Sequence, residues 1–350
     1  MKKIIHIDLD HYYSAIETRD NPEFANIPLA IGGSQYRRGV ISTCNYIARQ
    51  YGVHSAMSTA QAMKLCPTLT VISGNMEKYR SVSKDIHRIL RRYTEVIEPL
   101  SLDEAYLDVT NSPLFQGSAT RIAEDIRQSI KSELKLTASA GVAPLKFLAK
   151  IASDINKPDG IYVVKPIDVQ AFIDDLDLKK IPGVGKVTSK KLDQMNLHTG
   201  KDIRQFNQSE LIQRFGKFGY SLWQRCHGID ERQVIVHRER KSVGVEKTFE
   251  KDLLTEEECL CALERLFDEL MKRYAQYENE KVIKRLGVKL KFSDFQQTTV
   301  ESRYEVMDKV IYRQLLQEAI ERQNGRGIRL IGINVGIESK PSSLQLSLDF

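Results

Sequence analysis

Val96-Ile97-Glu98-Pro99-Leu100-Ser101-Leu102-Asp103-Glu104-Ala105-Tyr106-Leu107-Asp108-Val109 is the stretch on which the fold turns. Val96 to Leu100 and Ala105 to Val109 are apolar runs of strand length, and what lies between them reads as a hairpin turn. Successive side chains on a strand point to opposite faces, so Asp103 and Glu104 can serve one site only if they sit at that turn. The turn is therefore expected near Ser101-Leu102-Asp103. A second acidic strand opens the chain, Ile4-Ile5-His6-Ile7-Asp8-Leu9-Asp10. Its alternation puts Ile5, Ile7 and Leu9 on one face and His6 and Asp8 on the other. If the two strands lie side by side, Asp8, Asp103 and Glu104 converge on a site suited to magnesium, which prefers hard oxygen ligands. Paired ions bridged by carboxylates are a recurring device for chemistry at phosphates. Taken singly, each acid reads as a solvated strand end; taken together, they favour a metal site.

Outward from these strands, Asp10 reads as the N-cap of a helix beginning at His11. Pro and Gly punctuate residues 22–40, with short strands expected at Ala30-Ile31 and Val40-Ile41-Ser42-Thr43. Helices are expected over 76–93, 117–134 and 144–155. Strands are expected from Leu136 to Val142, ending at Gly141, and over Ile161–Val164. Together these make a mixed sheet carrying helices. Residues 166–230 read as small and all-helical, and a basic connector follows from Val236 to Ser242. The last unit reads strand, helix, strand, strand, helix, strand, an order that suggests a small ferredoxin-like sheet. After Lys340 comes a linker-like Pro341-Ser342-Ser343.

A chain of 350 residues is long enough for several domains. The formal charge of +6 permits a nucleic-acid partner without demanding one. Its distribution says more, since Lys281, Lys284, Arg285, Lys289 and Lys291 fall in one stretch that holds no acid. Five cysteines without Cys-x-x-Cys spacing argue against a disulfide framework or a structural zinc, and fit a reducing cytoplasm. Asp8 and Asp10 interrupt any signal-peptide run, and no stretch reaches membrane-spanning length.

Ile7-Asp8-Leu9-Asp10 with Ser101-Leu102-Asp103-Glu104-Ala105-Tyr106-Leu107-Asp108 resembles the catalytic signature of the Y-family DNA polymerases, bacterial DNA polymerase IV type. The resemblance covers nearly the whole chain. It implies a multidomain α/β (α+β) fold: a ferredoxin-like palm (1–10 and 75–165), fingers (11–74), an all-helical thumb with a helix-hairpin-helix (166–232), a linker (233–240) and a β-α-β-β-α-β little finger (241–340). It also implies error-prone, DNA-templated synthesis past damaged bases. Two Mg2+ ions would be held by Asp8, Asp103, Glu104 and the Leu9 carbonyl, with Asp8, Asp103 and Glu104 catalytic. The incoming dNTP would meet Tyr12, Tyr13, Thr43, Tyr46, Arg49 and Lys157. Tyr13 would exclude a 2′-hydroxyl, although many bacterial relatives have Phe at its position.

Gly183-Val184-Gly185-Lys186 resembles a helix-hairpin-helix turn, in which backbone N–H groups approach a DNA phosphate. Its spacing is neither that of a Walker P-loop nor of a dinucleotide fingerprint. Lys241, Ser242, Lys289 and Lys291 would add a face that tracks the primer-template backbone without reading sequence. The tail 341–350 resembles a sliding-clamp-binding peptide, with Gln345, Leu346, Leu348 and Phe350 as its anchors. No stretch is left over for a proofreading exonuclease, so low fidelity is expected. Two rival readings use fewer of these features. A nucleotide cyclase-like two-metal enzyme needs no helix-hairpin-helix or basic face, and a silent DNA- or clamp-binding protein needs no acid triad.

Overall fold

The computed structural model describes residues 1–340. Residues 1–32, 41–57 and 61–237 form one compact unit; residues 33–40, 58–60 and 238–340 form a second. In chain order the first strands and helices are β1 (Ile4–Leu9), α1 (Tyr12–Asp20), β2 (Leu29–Gly32), β3 (Ile41–Cys44), α2 (Tyr46–Gln50), α3 (Thr59–Leu65) and β4 (Thr70–Ile72). Next come α4 (Met76–Leu90), β5 (Ile97–Pro99), β6 (Glu104–Asp108), α5 (Ala119–Leu134), β7 (Ala138–Ala143), α6 (Lys146–Ser153) and β8 (Ile161–Val163). The α-helices α7 (Val169–Asp174), α8 (Lys186–Asp193), α9 (Gly200–Gln205), α10 (Gln208–Phe215) and α11 (Lys217–Cys226) complete the first unit.

The hairpin is β5 and β6, paired antiparallel with Ile97 opposite Leu107. Leu100 to Asp103 form its turn, closed by the Leu100 N–H on the Glu104 carbonyl at 3.0 Å. Strand β1 lies between β6 and β7, antiparallel to both, in a sheet of order β5-β6-β1-β7-β8. Its alternation sorts the faces as expected. Ile5, Ile7 and Leu9 enter a core with Ile86 and Ile89 of α4 and Ile122 and Ile126 of α5. His6 and Asp8 take the face that carries α6. Strand β7 does not end at Gly141 but runs on to Ala143. The glycine marks a close approach rather than a stop, because a Cβ there would lie 2.0 Å from the Ala149 carbonyl oxygen of α6.

Asp10 does not cap the first helix. His11 takes the N-cap position of α1 in a left-handed conformation, with no side-chain cap bond. Asp10 is fully buried, and its carboxylate accepts from the Ser139 hydroxyl and the Asp159 N–H, each at 2.8 Å. A buried carboxylate needs fixed donors, and these are supplied from β7 and the loop before β8.

A small sheet of order β3-β2-β4 stands beside α1, with β4 parallel to β2. The Asn45 side chain caps α2 by accepting from Ala48 N–H at 3.0 Å and ties the cap to β2 by accepting from Leu29 N–H at 3.2 Å. Helices α7 to α11 share a core with Phe147 and Leu148 of α6 through Ile173, Leu192, Leu211 and Leu222.

The second unit runs β9 (Ser242–Leu253), α12 (Glu256–Tyr274), β10 (Lys281–Phe292), β11 (Gln297–Ser302), α13 (Lys309–Glu321) and β12 (Ile328–Ser339), the order read from the sequence. A capping box between Thr255 and Glu258 starts α12. The antiparallel sheet is ordered β11-β10-β12-β9, so the second and fourth strands are central. Their Leu286, Val288, Leu290, Ile331, Ile333 and Val335 share a core with Leu263, Leu270, Leu315 and Leu316 of the two helices. The segment 33–40 joins this unit through Arg38, which donates to Asp252 at 2.6 Å.

Candidate active site

Register brings the acids together. Asp8 on β1 lies directly opposite Glu104 on β6, and the Leu9 N–H donates to the Asp103 carbonyl at 3.0 Å. Glu104 opens its strand while Asp103 belongs to the turn, so the two adjacent acids are not forced to opposite faces of a straight strand. Asp8, Glu104 and His6 each offer a ligand atom, all within 4.8 Å of one another. Asp103 is not in that group; its carboxylate accepts from the Ser101 hydroxyl, and its charge acts on Asp8 and Tyr13. The donors fit a hard divalent cation, since Asp8 and Glu104 supply oxygens while the His6 Nε2 is held by Glu104 at 3.1 Å.

Electrostatics separates the two facing acids. Burial pushes the Asp8 carboxyl up to about 6 against the pull of Lys157, whose ammonium pairs with it. Burial also opposes ionisation of Glu104, but hydrogen bonds from His6 and Lys150 hold it down to about 2. Each acid is thus held by a lysine from the α6 end of the sheet. Asp10 is the anchor of that arrangement, because its bond to the Asp159 N–H fixes the loop that carries Lys157.

Above this floor stand the aromatic residues. Tyr13 is half-buried and stacks on Tyr79, with ring centroids 4.4 Å apart and an interplanar angle of 16°. Tyr79 is itself held by its hydroxyl on the Glu17 carboxylate at 2.8 Å. Tyr12 differs from the sequence reading: its side chain is buried and its hydroxyl donates to the Tyr79 carbonyl at 2.8 Å. The Tyr12 backbone opens the first turn of α1.

Thr43 is buried on β3, and Tyr46 and Arg49 share a face of α2. The Arg49 guanidinium lies 4.8 Å from the Tyr46 ring centroid and donates to the Cys44 carbonyl at 3.2 Å. The Tyr46 hydroxyl is buried without a hydrogen-bond partner, and burial pushes it up to about 12. The hydroxyl thus stands unpaired among the charges of Asp10, Arg49 and Asp8.

Farther along the first unit, Gly183 takes φ +102° and would bring a Cβ to 2.6 Å from the Phe218 ring. Gly185 is the N-cap of α8 and Lys186 its exposed first residue. In the second unit Lys241 and Ser242 are exposed where β9 begins. The basic stretch on β10 is less free than its sequence suggests. Lys281 pairs with Glu239, Lys284 with Glu338, Arg285 with Glu301 and Lys289 with Glu246. Lys291 instead sits 4.9 Å from the Phe295 ring centroid. These acids are distant in sequence, which is why the stretch looked unopposed. Gln345, Leu346, Leu348 and Phe350 lie outside the described residues.

Three residues at the site escaped the sequence reading: His6, Lys150 and Ser153. His6 carried a signal, being two residues before Asp8 and therefore on the same face. Lys150 and Ser153 carried none, since only the packing of α6 across Gly141 brings them there.

Comparison with known proteins covers the same elements. Residues 7–154 match the impB/mucB/samB family, residues 240–348 its C-terminal domain, and residues 179–230 a DNA polymerase-iota thumb domain. A DNA polymerase IV of Pseudoalteromonas atlantica is 57% identical over 350 residues, which is all of this chain and 98% of that protein. One from Pectobacterium atrosepticum is 54% identical over 351 residues, covering both chains fully. Among solved structures, a Y-family DNA polymerase chimera aligns with TM-score 0.87 at 28% identity over 95% of this chain and 98% of its own. An insertion ternary complex of the Dbh DNA polymerase aligns with TM-score 0.66 at the same identity and coverage. Acids, aromatic residues and helical unit thus fall within one set of matches that spans the chain, and the chain belongs to the impB/mucB/samB family of Y-family DNA polymerases.

Proposed function

We infer that this protein is a DNA-directed DNA polymerase of the lesion-bypass type, extending a primer 3′-hydroxyl with nucleotides chosen by a template. The observation that carries the reading is the register of Asp8 opposite Glu104 with Asp103 at the adjoining turn, inside a chain 57% identical to a DNA polymerase IV along its length. A cyclase-like enzyme would not need the match to a polymerase thumb domain.

Family membership brings metal dependence, and we assign the ions as two Mg2+ held by Asp8, Asp103, Glu104 and the Leu9 carbonyl. When bound, such ions neutralise the triphosphate and favour ionisation of the primer hydroxyl. The chain's own residues do the rest. Arg49, Lys157 and the Tyr46 hydroxyl bind the triphosphate, and Lys157 leaves Asp8 to do so. Thr43 and the Tyr12 backbone line the same pocket. Tyr13, braced by Tyr79, closes the space that a ribose 2′-hydroxyl would occupy. Gly183, Gly185 and Lys186 meet the DNA backbone from the helical unit, and Lys241, Ser242, Lys289 and Lys291 from the other. The palm, fingers, thumb, linker and little finger follow the boundaries given above, and 341–350 tethers the chain to a sliding clamp in the cytoplasm.

The test is primer extension with Mg2+ on damaged and undamaged templates. Wild type should extend both, and Asp103→Ala should extend neither. A purified wild type without activity, or an Asp103→Ala variant as active as wild type, overturns the reading. The tether fails separately if deleting Gln345–Phe350 leaves clamp binding unchanged.

A further inference from the structure

His6 is fully buried beneath the acid floor and makes two hydrogen bonds. Its Nε2 lies 3.1 Å from Glu104 Oε2, and its Nδ1 lies 2.8 Å from the Ser153 hydroxyl. A carboxylate only accepts, so Nε2 carries the hydrogen. On the opposite edge of the ring, Nδ1 is held by the Ser153 hydroxyl of α6. The Tyr106 ring meets the imidazole edge to face, with centroids 4.8 Å apart, and fixes its plane. Ser153 is also buried, and its hydroxyl donates to the Lys150 carbonyl of its own helix at 2.8 Å, which fixes the oxygen against the ring. The ring is thus gripped by α6 on one edge and meets the acid with the other.

We propose that His6 and Ser153 are positioning residues for Glu104. Lys150 draws on the same Oε2 atom, but it is a long and partly exposed side chain. The imidazole is rigid and cannot follow it. With both bonds on Oε2, the ring would hold the carboxylate in place and leave its other oxygen for a cation. Gly141 makes this possible, for a Cβ there would lie 2.4 Å from the Ser153 nitrogen and hold α6 away from the sheet. The proposal rests on the assignment of Glu104 as a metal ligand, and the experiment separates the two.

Mn2+ is titrated into the full-length chain on primer-template DNA, with free Mn2+ read by electron paramagnetic resonance. The same proteins are assayed for kcat and for KM toward dNTP. Outer partners of metal ligands usually carry tenfold or more, so His6→Phe and Ser153→Ala should each weaken Mn2+ binding about tenfold. They should lower kcat by a similar factor while KM changes by less than about twofold. His6→Gln keeps an N–H donor near the place of Nε2 and should recover most of both losses. Glu104→Ala is the control. If it leaves Mn2+ affinity unchanged, the metal assignment fails. If it loses affinity while folded His6→Phe and Ser153→Ala bind Mn2+ as wild type does, the positioning proposal fails alone. It also fails if His6→Gln is as impaired as His6→Phe, or if Ser153→Ala does not fold, because the pair would then be structural.

Discussion

Asp8 shows at the scale of one residue what burial does to an acid. Its folded carboxyl is raised from 3.8 to about 6, first by burial. Between those values the native chain binds more protons than the unfolded chain, so this group makes the metal-free protein less stable as pH rises from about 4 to about 6. Asp8→Asn removes the titration. Its melting temperature relative to wild type should therefore climb from pH 5 to pH 7 in metal-free buffer, and a pH-independent difference would contradict the assignment. Tyr13 is the other decisive side chain. Its ring is held in place by stacking on Tyr79, so Tyr13→Ala should open the sugar pocket. Ribonucleotide incorporation relative to deoxyribonucleotide should rise by at least about tenfold, the effect of one lost steric contact of a few kcal/mol. Unchanged discrimination would remove Tyr13 from that role.

Among the elements, α6 and β7 decide the geometry of the site. The strand is built of Ala138, Ser139, Ala140, Gly141, Val142 and Ala143, all buried, and these small side chains admit helices on both faces. Helix α6 brings Lys150 and Ser153 to the acids, and the loop after it brings Lys157. Gly141→Ala puts a methyl group into backbone atoms of α6 that cannot step aside. It should destabilise the chain by about 1–3 kcal/mol or more in denaturant titration. Extension activity should fall further than the lost stability explains, since the helix carries the acid partners. Wild-type stability in that variant would show that α6 can shift.

Across the whole molecule, charge is paired more than its sequence suggests. Four of the five cations of β10 face acids from the connector, β9, β11 and β12. A sheet so neutralised would hold phosphates less tightly than a row of free lysines. Glu246→Gln should release Lys289 for a phosphate. The slope of log affinity against log salt should steepen by about 0.9, with tighter binding at low salt. An unchanged slope would mean that Lys289 does not approach the DNA.

The sequence by itself determined the local structure and the chemistry. Alternation in Ile4–Leu9 fixed which face carries Asp8, because strand side chains have a period of two. Adjacency of Asp103 and Glu104 required a turn, and the turn lies there. The strand and helix order of the last unit was equally legible, since apolar periodicity is local. Asp10 and Gly141 misled for a shared reason: each looked like a local stop or cap, yet each serves a partner distant in sequence. What the tertiary structure decided was pairing. It chose β1 as the strand between β6 and β7, placed β10 and β12 at the centre of their sheet, and set His6 between Glu104 and Ser153. It also found acids for Lys281, Lys284 and Lys289 of β10. Such choices depend on which surfaces meet when apolar faces are buried, and no stretch of sequence carries that information alone.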